Sequence, residues 1–116
     1  MKLEFLFIPT SDVEATLALY RDTFGCTELW REGDSTAALS VPGTDMQLML
    51  DSNDPDAKPG PIFVVDSVTA FHDQHSQKFE VLAPPAEIPG GFMASYAEPG
   101  GGTIQVLDQS TDSAAG

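Results

Sequence analysis

A chain of 116 residues has room for one hydrophobic core, and 41% apolar against 20% charged residues is the balance of a globular protein. Eighteen acidic and five basic side chains leave a formal net charge of −13, a field that repels phosphate backbones and anionic lipid and so excludes nucleic acid and membrane surfaces as partners. Cys26 is the only cysteine, which excludes an internal disulfide and a thiolate metal site within one chain. Glu4 comes too early for the apolar stretch of a signal peptide, and no apolar run approaches the roughly 20 residues of a membrane span, so the expected location is the cytoplasm.

Leu3 to Ile8, rich in Leu, Phe and Ile and ended by Pro9, reads as a buried strand. A helix follows. Ser11 and Glu14 fit a capping box, Val13, Leu17, Tyr20 and Phe24 recur at helical spacing, and Gly25 is placed to end it. Thr27–Glu32, Thr36–Val41 and Met46–Asp51 are strand-length runs parted by the turn pairs Gly33-Asp34 and Pro42-Gly43. Ser52 to Gly60, polar and rich in Pro and Asp, reads as a linker.

The second half repeats this order. Pro61–Val65 reads as a strand, and Asp66 or Ser67 caps a helix whose apolar face carries Val68, Phe71, His75 and Phe79. Phe79–Leu82, Gly91–Ala97 and Thr103–Asp108 read as strands, the first two parted by a Pro-rich connection. Residues 110–116 have no large apolar side chain and are expected to fray. The halves also align in detail: Asp12-Val13-Glu14-Ala15 matches Ser67-Val68-Thr69-Ala70, the same offset carries Phe24 onto Phe79, and Gln47-Leu48-Met49 matches Gln105-Val106-Leu107. Two copies are too few for a solenoid, so the repeat is one of paired modules. The expected fold is α+β: two βαβββ modules forming a curved, mostly antiparallel eight-stranded sheet with one helix per module. They lie in a single domain spanning 1–116, with module one at about 1–52, a linker at 53–60, module two at about 61–109 and a tail at 110–116.

Phe7-Ile8-Pro9-Thr10-Ser11-Asp12-Val13-Glu14-Ala15 with Leu19-Tyr20-Arg21-Asp22-Thr23-Phe24-Gly25 resembles the opening of the glyoxalase, bleomycin-resistance and extradiol-dioxygenase (vicinal oxygen chelate) superfamily. Phe63-Val64-Val65-Asp66-Ser67-Val68 resembles the start of that family's second module. Glu98-Pro99-Gly100-Gly101-Gly102-Thr103-Ile104-Gln105-Val106 resembles the turn into its last strand. The resemblance covers residues 3 to 109. It implies a fold shared by isomerases, epoxide-opening enzymes, dioxygenases and binding proteins, so fold alone does not give function. In the enzymes a metal is held near the middle of the first, fourth, fifth and eighth strands by His or Gln, Glu, His and Glu, and acts as a Lewis acid. Those positions fall here on Phe5, Gln47, Gly60 and Gln105. Two neutral amides are feeble ligands, so no metal and no cofactor is expected. A register one residue different would bring in Glu4 but turn Phe5 and Phe7 to the opposite face.

His72 and His75, three apart on the second helix, have the spacing of a metal pair, against which stands a packed and a solvated histidine. No nucleophile elbow or phosphate loop is present, and Gly100–Gly102 leads into a strand, which makes it a turn. If Gln47 and Gln105 face the concave side of the sheet, alternation adds Phe5, Phe7, Met49, Val64 and Leu107, with Ile62, Trp30 and Tyr96. That lining suits a small, mostly apolar or cationic ligand held by a few hydrogen bonds, unless the side chains fill the space themselves. Two functions remain open: a metal-free binding protein, homodimeric like the bleomycin-resistance branch, or a metal-dependent lyase or dioxygenase.

Overall fold

A computed structural model of the chain describes residues 1–111. Its eight strands and two helices form an α+β fold in which the order β, α, β, β, β occurs twice. The chain divides into two compact units, one of Glu4–Pro59 and one running from Gly60 and including Met1–Leu3.

In the first module β1 (Lys2–Pro9) leads to α1 (Val13–Phe24), followed by β2 (Thr27–Glu32), β3 (Thr36–Ser40) and β4 (Gln47–Asp51). β4 lies parallel to β1 and antiparallel to β3, and β2 pairs with β3 at the outer edge. One sheet face packs on α1, through Leu39, Leu48 and Leu50 against Val13 and Leu17. Alternation sends Phe5, Phe7, Gln47 and Met49 to the other face.

The helix start differs from the expected Ser11–Glu14 box. Asp12 is the N-cap, with extended backbone and Oδ1 accepting from Ala15 N at 3.0 Å. Thr10 decides this, because its hydroxyl accepts from Asp12 N at 3.0 Å and pairs with the Thr16 hydroxyl at 2.8 Å. Glu14 is thereby free to pair with Arg31 of β2, which also donates through Nε to Glu28 at 2.9 Å. Gly25 ends α1 at φ +74°, a left-handed conformation that suits glycine.

The second module runs β5 (Gly60–Val64), α2 (Val68–His75), β6 (Glu80–Ile88), β7 (Gly91–Ala97) and β8 (Thr103–Leu107). β5 is parallel to β8, while β7 is antiparallel to both β8 and β6. Ser67 caps α2, its hydroxyl accepting from Ala70 N at 3.2 Å. Phe79 lies beyond α2, after a short 3-10 turn at Ser76–Lys78, yet still packs into the core with Val68, Tyr96 and Val106. The expected Pro-rich connection is instead part of β6. Pro84 and Pro85 are tolerated because β6 is an outer strand, and its ladder shifts register on either side of Ala83.

Asp108 is buried where these elements meet, only 2% exposed. Its carboxylate accepts from Val68 N at 2.7 Å, Phe92 N at 3.0 Å, Ser110 N at 3.2 Å and Ser110 Oγ at 2.7 Å. It thus holds the start of α2, strand β7 and the first tail residue together. Of the expected tail, Ser110 and Thr111 are hydrogen-bonded to the second module, Thr111 N donating to Gly90 O at 3.1 Å; the rest, 112–116, lies outside the described residues. Burial alone would raise the Asp108 pKa, but the donors outweigh it and hold the carboxyl below its ordinary 3.8. A depressed folded pKa means the stabilisation is complete above the unfolded value and is lost as pH falls through the folded one. Asp108→Asn turns an amide N–H₂ toward backbone donors and is expected to cost about 2 kcal/mol at neutral pH. In urea titrations the gap from wild type should narrow at about pH 3; a gap independent of pH would disprove the charged role.

Candidate functional site

Cross-strand partners share a sheet face, so the register defines what each helix-free face carries. In the first module one row runs Thr27, Ser40, Gln47, Phe5 and the next Trp30, Ala38, Met49, Phe7. A β-bulge between Glu28 and Trp30 puts Trp30 on this face while Glu28 and Arg31 stay on the helix side. Phe5, Phe7, Ala38 and Met49 are buried, whereas Trp30 on the outer strand is 37% exposed. Four expected site residues, Phe5, Phe7, Gln47 and Met49, are therefore together, with Trp30 at the open edge.

In the second module the rows are Ala83, Ser95, Gln105, Ile62 and Ala86, Met93, Leu107, Val64. Ile62, Gln105 and Leu107 are buried, Ile62 completely, and Val64 is partly buried. Four more expected residues, Ile62, Val64, Gln105 and Leu107, thus share this face.

Tyr96 does not join them. It pairs with Ile104, one residue out of phase with Gln105, and so points into the core beneath α2. There its ring lies 5.0 Å from Phe79 and 6.0 Å from Phe71, and its hydroxyl is 2.9 Å from His72 Nδ1. Burial pushes the phenol pKa up, so the hydroxyl keeps its proton and can donate it to the imidazole. The two histidines have separate partners, His72 with Tyr96 and His75 Nδ1 with Lys78 Nζ at 3.2 Å.

Ser40 and Ser95 are among the face residues that sequence reasoning passed over. Each is the antiparallel neighbour of a Gln, Ser40 of Gln47 and Ser95 of Gln105. The alternation Thr36, Ala38, Ser40 marks the face of β3, but only the strand register puts its serine beside the amide.

The metal positions implied by the resemblance can be tested against these rows. Phe5 and Gln47 are cross-strand partners, giving a hydrocarbon ring and one amide. In the second module Gln105 faces Ile62, while Gly60 has no side chain and no room for one, since an added Cβ would sit on the Thr103 carbonyl oxygen and 2.9 Å from its carbon. Among the described residues no group of three or more His, Cys, Asp or Glu side chains converges to hold a metal ion. These donors do not fit a Lewis-acid metal, which needs several ligands that include anionic or imidazole groups.

Gln47 has a further property. Its Oε1 is shut off from solvent and has no hydrogen-bond partner among the described residues. The neighbouring Ser40 hydroxyl donates instead to Thr27 O, at 3.4 Å.

A sequence model of the Glyoxalase/Bleomycin resistance protein/Dioxygenase superfamily matches residues 2–106. No curated protein matches the chain. Among solved structures, one described as an NAD-dependent benzaldehyde dehydrogenase from Legionella pneumophila is similar over 90% of this chain and 97% of its own, with TM-score 0.75 and 16% identity. A methylmalonyl-CoA epimerase from Mycobacterium tuberculosis is similar over 99% and 92%, with TM-score 0.67 and 20% identity. A superfamily member from Vibrio splendidus 12B01 is similar over 90% and 95%, with TM-score 0.67 and 10% identity. At such identities the likeness is one of fold.

The close approach of Gly60 to Thr103 yields a prediction. Gly60→Ala should lower stability by about 3 kcal/mol, because backbone rather than a flexible side chain must move. Thermal unfolding within half a degree of wild type would show that the two strands can part freely there.

Proposed function

We propose, from the premise that this chain belongs to the Glyoxalase/Bleomycin resistance protein/Dioxygenase superfamily, that it binds a small, mostly apolar or cationic molecule without a metal. The observation that carries this reading is the set of residues at the metal positions implied by the family resemblance. Phe5 with Gln47, and Gln105 with a glycine that cannot be enlarged, supply two amides and neither a carboxylate nor an imidazole. What the helix-free faces carry is hydrocarbon, aromatic rings and two amides, the composition of a ligand-binding surface.

In this reading the candidate ligand-contact residues are Phe5, Phe7, Trp30, Gln47 and Met49 on the first module's own face and, separately, Ile62, Val64, Gln105 and Leu107 on the second module's own face. Tyr96 drops out of the set because it lies under α2. The protein acts in the cytoplasm as a homodimer; among the described residues no helix is long and apolar enough to cross a membrane. Exposed Leu19 and Phe24 on α1, with Leu29 on β2, supply apolar surface for self-association. Light scattering should accordingly give twice the monomer mass, and a monomer at high concentration would remove the dimer.

Protein purified without chelator should carry far less than one divalent ion per chain by elemental analysis. Phe5→Ala should leave that content unchanged while weakening a hit from a small-molecule thermal-shift screen by about 1–2 kcal/mol, roughly tenfold, through loss of the aromatic contact. Near one equivalent of metal, lost on changing His72 or His75, would favour a metal-dependent lyase or dioxygenase instead.

A further inference from the structure

Strict alternation along β2 would place Leu29 and Arg31 on the helix-free face of the first module and turn Trp30 toward α1. The bulge between Glu28 and Trp30 prevents this. With Leu29 as the extra residue, Trp30 pairs with Ala38 and Glu32 with Thr36, so the face receives an indole and a carboxylate in place of an aliphatic chain and a guanidinium. Arg31, moved to the helix side, is taken up there by Glu14 and Glu28. A bulge that only protected an outer strand would not require the residue after it to be a tryptophan, 37% exposed.

The charges on this face have one sign. Its next row runs Glu32, Thr36, Asp51 and Pro9, and no strand residue of this row or of the rows of Trp30 and Gln47 is basic. Glu32 is exposed and Asp51 half-buried, and among the described residues neither belongs to an ion pair. Asp51 accepts from Asn53 N at 2.7 Å and from Thr36 Oγ1 at 3.3 Å, two neutral donors that leave its charge uncompensated. Trp30 and Glu32 stand two residues apart on one side of β2, roughly 7 Å, which is the length of two fused rings. An anion is repelled by both carboxylates, and a neutral ring uses the indole alone. A compact ammonium is strongly hydrated and gains little from one exposed carboxylate. A flat cation with its charge spread over a ring gains from the indole and the carboxylate together.

We propose that the outer strand of the first module carries a binding site for a planar aromatic cation, an N-alkylated heteroaromatic ring, which stacks on Trp30 with its charge beside Glu32 while Asp51 adds to the field. This rests on the metal-free binding reading and narrows it from apolar or cationic to aromatic and cationic, on solvent-exposed residues and not on the buried rows. The site belongs to the first module, because the outer strand of the second sets Ala83 and Ala86 at the corresponding ends of its rows.

Isothermal titration of the full-length protein at neutral pH with three probes of one ring size, 1-methylquinolinium, quinoline and 2-naphthoate, tests the assignment. The quinolinium should bind about tenfold more tightly than neutral quinoline, and the naphthoate most weakly. Glu32→Gln should weaken the cation about threefold and leave quinoline unchanged. Glu87→Gln, which removes the same charge from an exposed position on β6, should change neither. Trp30→Leu should weaken both quinolinium and quinoline about fivefold, and Trp30→Phe, which keeps a smaller ring, should fall between it and wild type and serves if the Leu variant folds poorly. Equal binding of quinolinium and quinoline would overturn the cationic assignment while leaving an apolar-ligand protein standing. Equal weakening by Glu32→Gln and Glu87→Gln would also overturn it, tracing the attraction to the net charge of −13, and full binding by Trp30→Leu would move the ligand off this strand. Absence of binding by all three would overturn it as well, whereas the metal-free reading itself falls only if the purified protein holds an equivalent of metal.

Discussion

The parallel pairing of the first and last strand in each module is the constraint on which the rest depends. β1 and β4 are far apart in sequence, as are β5 and β8, and laying each pair side by side determines which residues look toward a helix and which look away. Because side chains alternate, a slip of one residue would exchange the two faces of a strand. In the first module that slip would send Leu48 and Leu50 away from α1 and bring Gln47 and Met49 beneath it. The core under α1, Leu39, Leu48, Leu50, Val13 and Leu17, therefore defines the binding face by exclusion.

The same logic holds under α2, where the packing is aromatic. Phe71, Phe79 and Tyr96 meet at centroid separations of 5.0 to 6.0 Å, and the single polar atom that Tyr96 brings into this core is matched by His72. Asp108 extends the arrangement into electrostatics. A lone buried carboxylate would be expelled or protonated, but four donors from three segments keep it charged. The end of β8 is thereby tied to the start of α2, as the Thr10 hydroxyl ties the end of β1 to the start of α1. Each module solves the problem of joining sheet to helix with a side-chain oxygen, by a different residue.

The helix-free faces obey other priorities. A face made for stability alone would place hydrocarbon at every buried position, and Phe5, Phe7, Met49, Ile62 and Leu107 do so. Gln47 and Gln105 interrupt it with amides. Polar groups on a buried face are costly to desolvate, which is why they mark the places where a sequence serves something other than the fold. The outer strands follow yet another rule. β2 carries a bulge and β6 carries two prolines, and both features discourage further strands from adding at those edges.

How much of this was written in the sequence can be judged residue by residue. Helical spacing, helix caps, apolar runs and Gly/Pro turn signals located both helices and all eight strands, because each is a local property of the sequence. Alternation paired Phe5 with Phe7 along β1 and Gln47 with Met49 along β4, and the family resemblance joined the two pairs into one set. The capping residue of α1 was misplaced by one position because Thr10, whose hydroxyl holds Asp12 in the cap, is itself fixed by a backbone bond to Asp51, some forty residues away. Tyr96 was put on the wrong face because its phase relative to Gln105 depends on the β7–β8 register, and the length of β6 was missed because an outer strand accepts prolines that an inner one would not. The sequence by itself determined the elements and the parity of each strand. Only the tertiary structure decided how the strands align, because register is set by the simultaneous fit of distant side chains over a shared core, which no local pattern contains.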